Sequence, residues 1–136
     1  MLTTTCMNPC ILEALSYCGH GSKILIADCN YPLLEKTGDA KKIYLGLCPG
    51  TPTVTEVLHA LLGVCNFERA EVMTPGDGSE PEIFPEFRRE LNGMELHALG
   101  RYEFYQACME PGALVLAIST GEQRVFANLL LTVACA

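Results

Sequence analysis

The chain predicts a single-domain, layered α/β fold on a largely parallel, mixed sheet. Three observations carry this. Segments patterned as strands and as helices alternate through most of the 136 residues. The stretches Ile24 to Ala27 and Leu114 to Ser119 are nearly continuous apolar runs, as expected of strands covered on both faces. The last two strands are separated only by Thr120 to Ala127, too short for a helical crossover, so they are expected to pair antiparallel.

Each element has its own signal. Asn8 caps and Pro9 opens a first helix, with Ile11, Leu12, Leu15 and Cys18 at helical spacing and Gly19 as a left-handed stop. The strand Ile24 to Ala27 follows, then a loop through Asn30-Tyr31-Pro32, a turn at Gly38-Asp39 and a short strand Ile43 to Leu45. After Pro49-Gly50-Thr51-Pro52, Thr53-x-x-Glu56 reads as a capping box. It leads a helix whose apolar face is Val54, Val57, Leu58, Leu61 and Leu62. A strand is expected at Ala70 to Met73, a helix at Glu86 to Leu91, a strand at Met94 to Leu99 and a helix at Arg101 to Met109. The strands Leu114 to Ser119 and Asn128 to Val133 close the chain. No internal repeat or interdomain linker is visible, so residues 1–136 are read as one domain.

Composition excludes several classes. At 49% apolar and 18% charged residues, the chain is not of a disordered type. A net charge of -7 without a Lys/Arg cluster argues against nucleic acid. The apolar-rich run Val125 to Ala136 is far short of a bilayer span, so no membrane role is expected. It points instead to surface buried between subunits. The N-terminus lacks a basic region, and Glu13 interrupts its apolar stretch, so no signal peptide and a cytoplasmic protein are expected. The eight scattered cysteines contain no Cys-x-x-Cys pair, so they read as reduced, mostly buried thiols with no metal site.

Polar residues at strand ends are the candidates for chemistry. In open α/β sheets ligands bind beyond the carboxyl ends of strands. Asp28 lies at such an end, and Arg101 and the Thr120-Gly121-Glu122 turn follow two others. His20 precedes its strand, so in a monomer it belongs to the wrong edge. Read on residue type alone, His20 is a turn residue, Asp28 a cap, Arg101 a solvated helix start and Asn128 a turn former at a strand edge. His59 and His97 read as structural or surface residues. Dinucleotide, Walker, nucleophile-elbow and zincin motifs are absent.

Four blocks together resemble the ribose pyranase and fucose mutarotase family, RbsD/FucU. They are Leu15-Ser16-Tyr17-Cys18-Gly19-His20-Gly21-Ser22, Ile24 through Pro32, Arg101-Tyr102-Glu103-Phe104-Tyr105, and Thr120-Gly121-Glu122 followed by Ala127-Asn128-Leu129-Leu130-Leu131. The resemblance implies a three-layer α/β/α sandwich, RbsD-like, and a cofactor-independent isomerase acting on a free monosaccharide. It also implies homo-oligomeric rings, pentamers or decamers, with sites at subunit contacts that would supply the missing geometry of His20 and account for the apolar C-terminus. By the same resemblance His20 is the acid/base residue, while Asp28, Arg101 and Asn128 contact the sugar. An arginine at 101 in an Arg-aromatic-x-Phe-Tyr setting is similar to the fucose branch; the ribose branch tends to carry histidine there.

The residue types suit that chemistry. A cyclic sugar opens when its anomeric hydroxyl loses a proton and its ring oxygen gains one. A histidine, with an unperturbed pKa of about 6.5, gives and takes protons near neutrality. An aspartate orients a hydroxyl, and an arginine fork holds two adjacent oxygens. The chain departs from the family at Phe126, where a tyrosine usually stands two residues before the asparagine. Phe126 keeps a ring to stack on a sugar but has no hydroxyl, and Tyr31 and Tyr102 are candidate replacements. Three readings follow: an L-fucose-type mutarotase, a D-ribose pyranase, and a non-catalytic monosaccharide-binding protein.

Overall fold

A computed structural model describes residues 1–136. The elements run α1 (Pro9–Ser16), β1 (Lys23–Ala27), β2 (Lys41–Tyr44), α2 (Val54–Leu62), β3 (Phe67–Met73), α3 (Phe84–Glu90), β4 (Leu96–Leu99), α4 (Arg101–Met109), β5 (Leu114–Ser119) and β6 (Leu129–Val133). The six strands form one sheet in the order β2-β5-β1-β6-β3-β4. Five run parallel; β6 alone is antiparallel, to β1 on one side and β3 on the other.

Strand alternation divides the buried side chains between the two faces. Ile24 and Ile26, Ala70 and Val72, Leu116 and Ile118, and Leu129, Leu131 and Val133 face α1, α2 and α3. Leu25 and Ala27, Met73, Ala117 and Leu130 face α4, with Phe104, Tyr105 and Cys108 packed on them. This is a three-layer α/β/α sandwich with a mixed, mainly parallel sheet.

The expected caps are present. Asn8 Oδ1 accepts from the Ile11 amide at 3.1 Å, with Pro9 opening α1. Thr53 and Glu56 make the reciprocal capping box: the Glu56 amide donates to Thr53 Oγ1 at 3.1 Å and the Thr53 amide to Glu56 Oε2 at 2.7 Å. No helix is long and apolar enough to cross a membrane.

Four expectations are corrected. The two final strands do not pair with each other: β1 inserts between them, so β6 is antiparallel to β1, not bonded to β5. The left-handed glycine after α1 is Gly21 (φ 87°), not Gly19, because the helix already ends at Tyr17 with right-handed geometry. The apolar C-terminus is explained within the chain, since all five residues of β6 are buried in the middle of the sheet. The cysteines are unpaired but not mostly buried: only Cys6 and Cys108 are, whereas Cys10, Cys29, Cys48 and Cys135 are exposed. Those four lie on a helix's solvent side, in loops and at the chain end, where packing does not reach.

Candidate sugar site at the carboxyl edge of the sheet

The parallel strands β1, β3, β4 and β5 end at one edge of the sheet, where the antiparallel β6 begins. Asp28 directly follows β1, Met73 ends β3, Arg101 opens α4 just after β4, and Asn128 precedes β6. An open pocket of about 210 Å³ forms there, lined by Asp28, Asn30, Tyr31, Met73, Arg101, Tyr105, Val125, Phe126 and Asn128.

Asp28 and Asn128 clasp each other across a hundred residues of chain. The Asp28 amide donates to Asn128 Oδ1 at 2.9 Å, and Asn128 Nδ2 donates to Asp28 Oδ2 at 3.1 Å. The Ala127 amide also donates to Oδ2 at 3.1 Å, and the Asn30 amide to Oδ1 at 2.9 Å. Both residues are buried, at 2% and 3% exposure. Burial pushes the Asp28 carboxyl above its ordinary range, against the pull of those donors.

Phe126 has φ 57°, in the left-handed region that bulky residues avoid. Holding such a conformer costs on the order of 1 kcal/mol, and backbone strain of this kind concentrates at functional sites. Here the bend turns the Ala127 amide onto Asp28. An ion-paired clamp holds the preceding loop. Arg124 donates to Glu122 through Nε (3.0 Å) and Nη2 (3.0 Å), and to Glu86 through Nη1 (2.7 Å). Thr55 donates its hydroxyl to Glu86 at 2.7 Å. Behind the loop, a Cβ on Gly121 would lie 2.4 Å from the Thr51 carbonyl oxygen, so only glycine fits. The Thr120 hydroxyl donates to the Ala27 carbonyl at 2.8 Å, and the Cys29 amide to that of Glu122 at 2.9 Å, fastening the loop to the end of β1.

Arg101 is exposed at the first position of α4, where the positive end of the helix dipole disfavours a cation. Its Nε donates to the Tyr105 hydroxyl oxygen at 3.1 Å, and that hydrogen bond holds its pKa above the usual arginine value. The guanidinium lies 5.8 Å from the Tyr105 ring centre. Tyr31 packs edge-on against the Tyr105 ring at 5.4 Å and donates its hydroxyl to the Lys36 carbonyl at 3.0 Å. Tyr102 is exposed and does not line the pocket.

Asp28, Arg101, Phe126 and Asn128 therefore meet in one pocket, and His20 does not. His20 lies at the opposite edge, on the turn before β1, where its Nε2 meets Glu68 Oε1 at 3.0 Å. A strand advances about 3.3 Å per residue, so His20 and Asp28 stand on the order of 20 Å apart. Tyr31, one of the two candidate replacements for the missing hydroxyl, lines the pocket, and Met73, Tyr105, Asn30 and Val125 are further lining residues that the sequence did not single out. The i, i+4 spacing of Arg101 and Tyr105 is the signal that finds Tyr105. His59 is paired with Glu90 and His97 sits near Arg69 and Glu95, both away from the pocket. No group of three His, Cys, Asp or Glu side chains is placed to hold a metal ion.

Comparison with known proteins gives the family and the fold. Residues 1–136 match the RbsD / FucU transport protein family. A D-ribose pyranase of Clostridium novyi is 29% identical over 131 residues, covering 96% of this chain and 95% of its own. Another, from Staphylococcus haemolyticus, is 29% identical with the same coverage. Among solved structures, the fucose mutarotase of Streptococcus pneumoniae in complex with L-fucose superposes with a TM-score of 0.84 at 23% identity, covering 100% of this chain and 99% of that one. Bacillus subtilis RbsD complexed with D-ribose superposes at 0.86 with 24% identity and the same coverage. These two share the fold, and the relatives named here include pyranases and a fucose mutarotase. Matched over its whole length, with its polar residues gathered at the carboxyl edge of the sheet, the chain belongs to the RbsD/FucU family.

Proposed function

We propose that this protein is a mutarotase that interconverts the α and β anomers of a free monosaccharide, L-fucose or a similar sugar. The observation that carries the reading is the Asp28–Asn128 clasp facing Arg101 across one pocket with aromatic walls. Asp28 is held rigidly enough to orient a sugar hydroxyl. Arg101 uses only Nε on Tyr105, which leaves its terminal nitrogens for adjacent sugar oxygens. Phe126 offers a ring face at the rim. The reaction moves protons and breaks and remakes one C–O bond, so it balances without a cofactor.

In this reading the acid/base residue is His20 from a neighbouring copy in a homo-oligomeric ring, a pentamer or decamer in the cytoplasm. One feature supports a second chain: His20 lies far from the pocket of its own chain, exposed beside Glu68. Arg101 favours the fucose branch. The names of the curated relatives favour D-ribose pyranase activity, and Phe126 favours a non-catalytic sugar-binding protein.

NMR exchange between anomer signals separates the three. The mutarotase reading expects catalytic protein to accelerate α/β exchange of L-fucose, and His20→Ala to lose that acceleration. Faster pyranose/furanose exchange of D-ribose, with fucose unaffected, would replace it with the pyranase. Calorimetric binding of either sugar without exchange would replace it with the binding protein.

A further inference from the structure

We propose that the hydroxyl of Tyr105 is the proton donor to the sugar's ring oxygen in this pocket. The inference rests on the mutarotase reading and adds the acid that the single-chain pocket otherwise lacks. Of the lining residues only Tyr31 and Tyr105 carry a hydroxyl. The Tyr31 hydroxyl is committed to the Lys36 carbonyl at 3.0 Å. The Tyr105 oxygen instead accepts from Arg101 Nε at 3.1 Å, and its own hydrogen is donated to no protein atom. It is the one hydroxyl proton in the pocket that no protein acceptor holds.

Its surroundings fit a donor. Tyr105 is buried to 8% exposure, its ring braced edge-on by Tyr31 at 5.4 Å, so the phenol is fixed in place. The Arg101 N–H on the oxygen steadies the negative charge left when the proton departs. Asp28 is suited to a different part, because its carboxylate already accepts from the Asn30 and Ala127 amides and from Asn128, which orients it as an acceptor of sugar hydroxyls.

The step balances. The base takes the anomeric hydroxyl proton, and the O–H electron pair becomes the second bond of the new carbonyl. The bond from C1 to the ring oxygen breaks, and its electron pair takes the Tyr105 proton. After the aldehyde rotates, the freed hydroxyl attacks its other face and returns its proton to Tyr105, while the base returns its proton to the carbonyl oxygen. Nothing is oxidised or reduced.

Anomer exchange with the full chain tests this in Tyr105→Phe, with and without Phe126→Tyr. Tyr105→Phe is expected to lower the exchange rate at saturating sugar about a hundredfold. KM should stay within about twofold, and calorimetric sugar binding, which reports a folded pocket, should be retained. Adding Phe126→Tyr is expected to restore part of the rate by supplying a second phenol at the rim, which a purely structural role for Tyr105 would not produce. Wild-type exchange in Tyr105→Phe, alongside loss of exchange in His20→Ala, would overturn the proposal and leave the mutarotase reading standing. A rise in KM alone would also overturn it, assigning Tyr105 to holding Arg101. No exchange of any sugar by the unaltered protein would overturn both.

Discussion

The two ends of β1 hold their polar residues under opposite regimes. Past its carboxyl end, Asp28 is 2% exposed, with its amide and both carboxylate oxygens hydrogen-bonded to fixed partners. Before its amino end, the His20 side chain is 58% exposed and has a single partner, Glu68, itself 46% exposed. Buried, fully paired groups define a shape; an exposed ion pair defines little, because solvent screens it and both side chains remain free to move. The chain thus builds the recognising half of its proposed site internally and leaves the histidine on its surface.

Glycine substitutions probe this contrast most strongly. Gly121→Ala is expected to cost about 3 kcal/mol or more in urea unfolding, since its Cβ would sit 2.4 Å from one carbonyl oxygen and 2.5 Å from another. Gly21→Ala, beside His20, meets no atom within 4 Å and is strained only by its φ of 87°, so about 1–2 kcal/mol is expected. Equal losses at the two edges would break the comparison. Asp28→Asn comes next, at about 2 kcal/mol, because one oxygen facing backbone or Asn128 donors becomes an amide. Unchanged stability in that variant would mean the clasp is not what holds the carboxyl edge.

Acid should separate the clamp from the pocket. Hydrogen bonds from Arg124 and Thr55 hold the Glu86 carboxyl below its ordinary value of 4.5. Burial opposes the same shift at Glu122, but the Arg124 hydrogen bonds prevail. A lowered carboxyl pKa stabilises the fold above the ordinary value, and that stability is lost as pH falls through the folded one. Asp28 has the opposite sign: its raised pKa gives stability that is full below the ordinary value of 3.8 and fades as pH rises through the folded one. Arg124→Met should therefore flatten the loss of stability below pH 4.5, as read by urea unfolding across pH. A variant with the wild-type acid profile would remove the clamp from the account. The smallest effect is at the exposed edge. His20→Ala should change stability by no more than about 0.5 kcal/mol, and a larger loss would show that His20 is structurally held.

Much of this was readable in the chain. The caps at Asn8 and Thr53 are local, decided by residues three apart, and they stand where expected. Asp28 and Arg101 follow strands whose carboxyl ends the parallel order gathers at one edge, whereas Asn128 joins them only because β6 runs antiparallel and begins there. The pairing of the last strands was not readable, because the insertion of β1 between β5 and β6 is a contact between distant segments. The start of β3 was hidden too: Glu68 and Arg69 are exposed and polar at the sheet's amino edge, where apolar patterning fades. Tyr105 stands in the Arg101 to Tyr105 block without a role of its own, because its direction is fixed only once α4 is placed. Only then does the turn of helix after Arg101 bring its hydroxyl to the pocket.

The central claim is that one working site takes Asp28 and Arg101 from one copy and His20 from another. Co-expression of His20→Ala with Arg101→Ala, each inactive alone in anomer exchange, tests it most directly. If the site is shared between neighbours and copies mix at random, about a quarter of the sites are whole and that share of wild-type exchange returns. Mixed oligomers that show no exchange, while the unaltered protein does, would contradict the account.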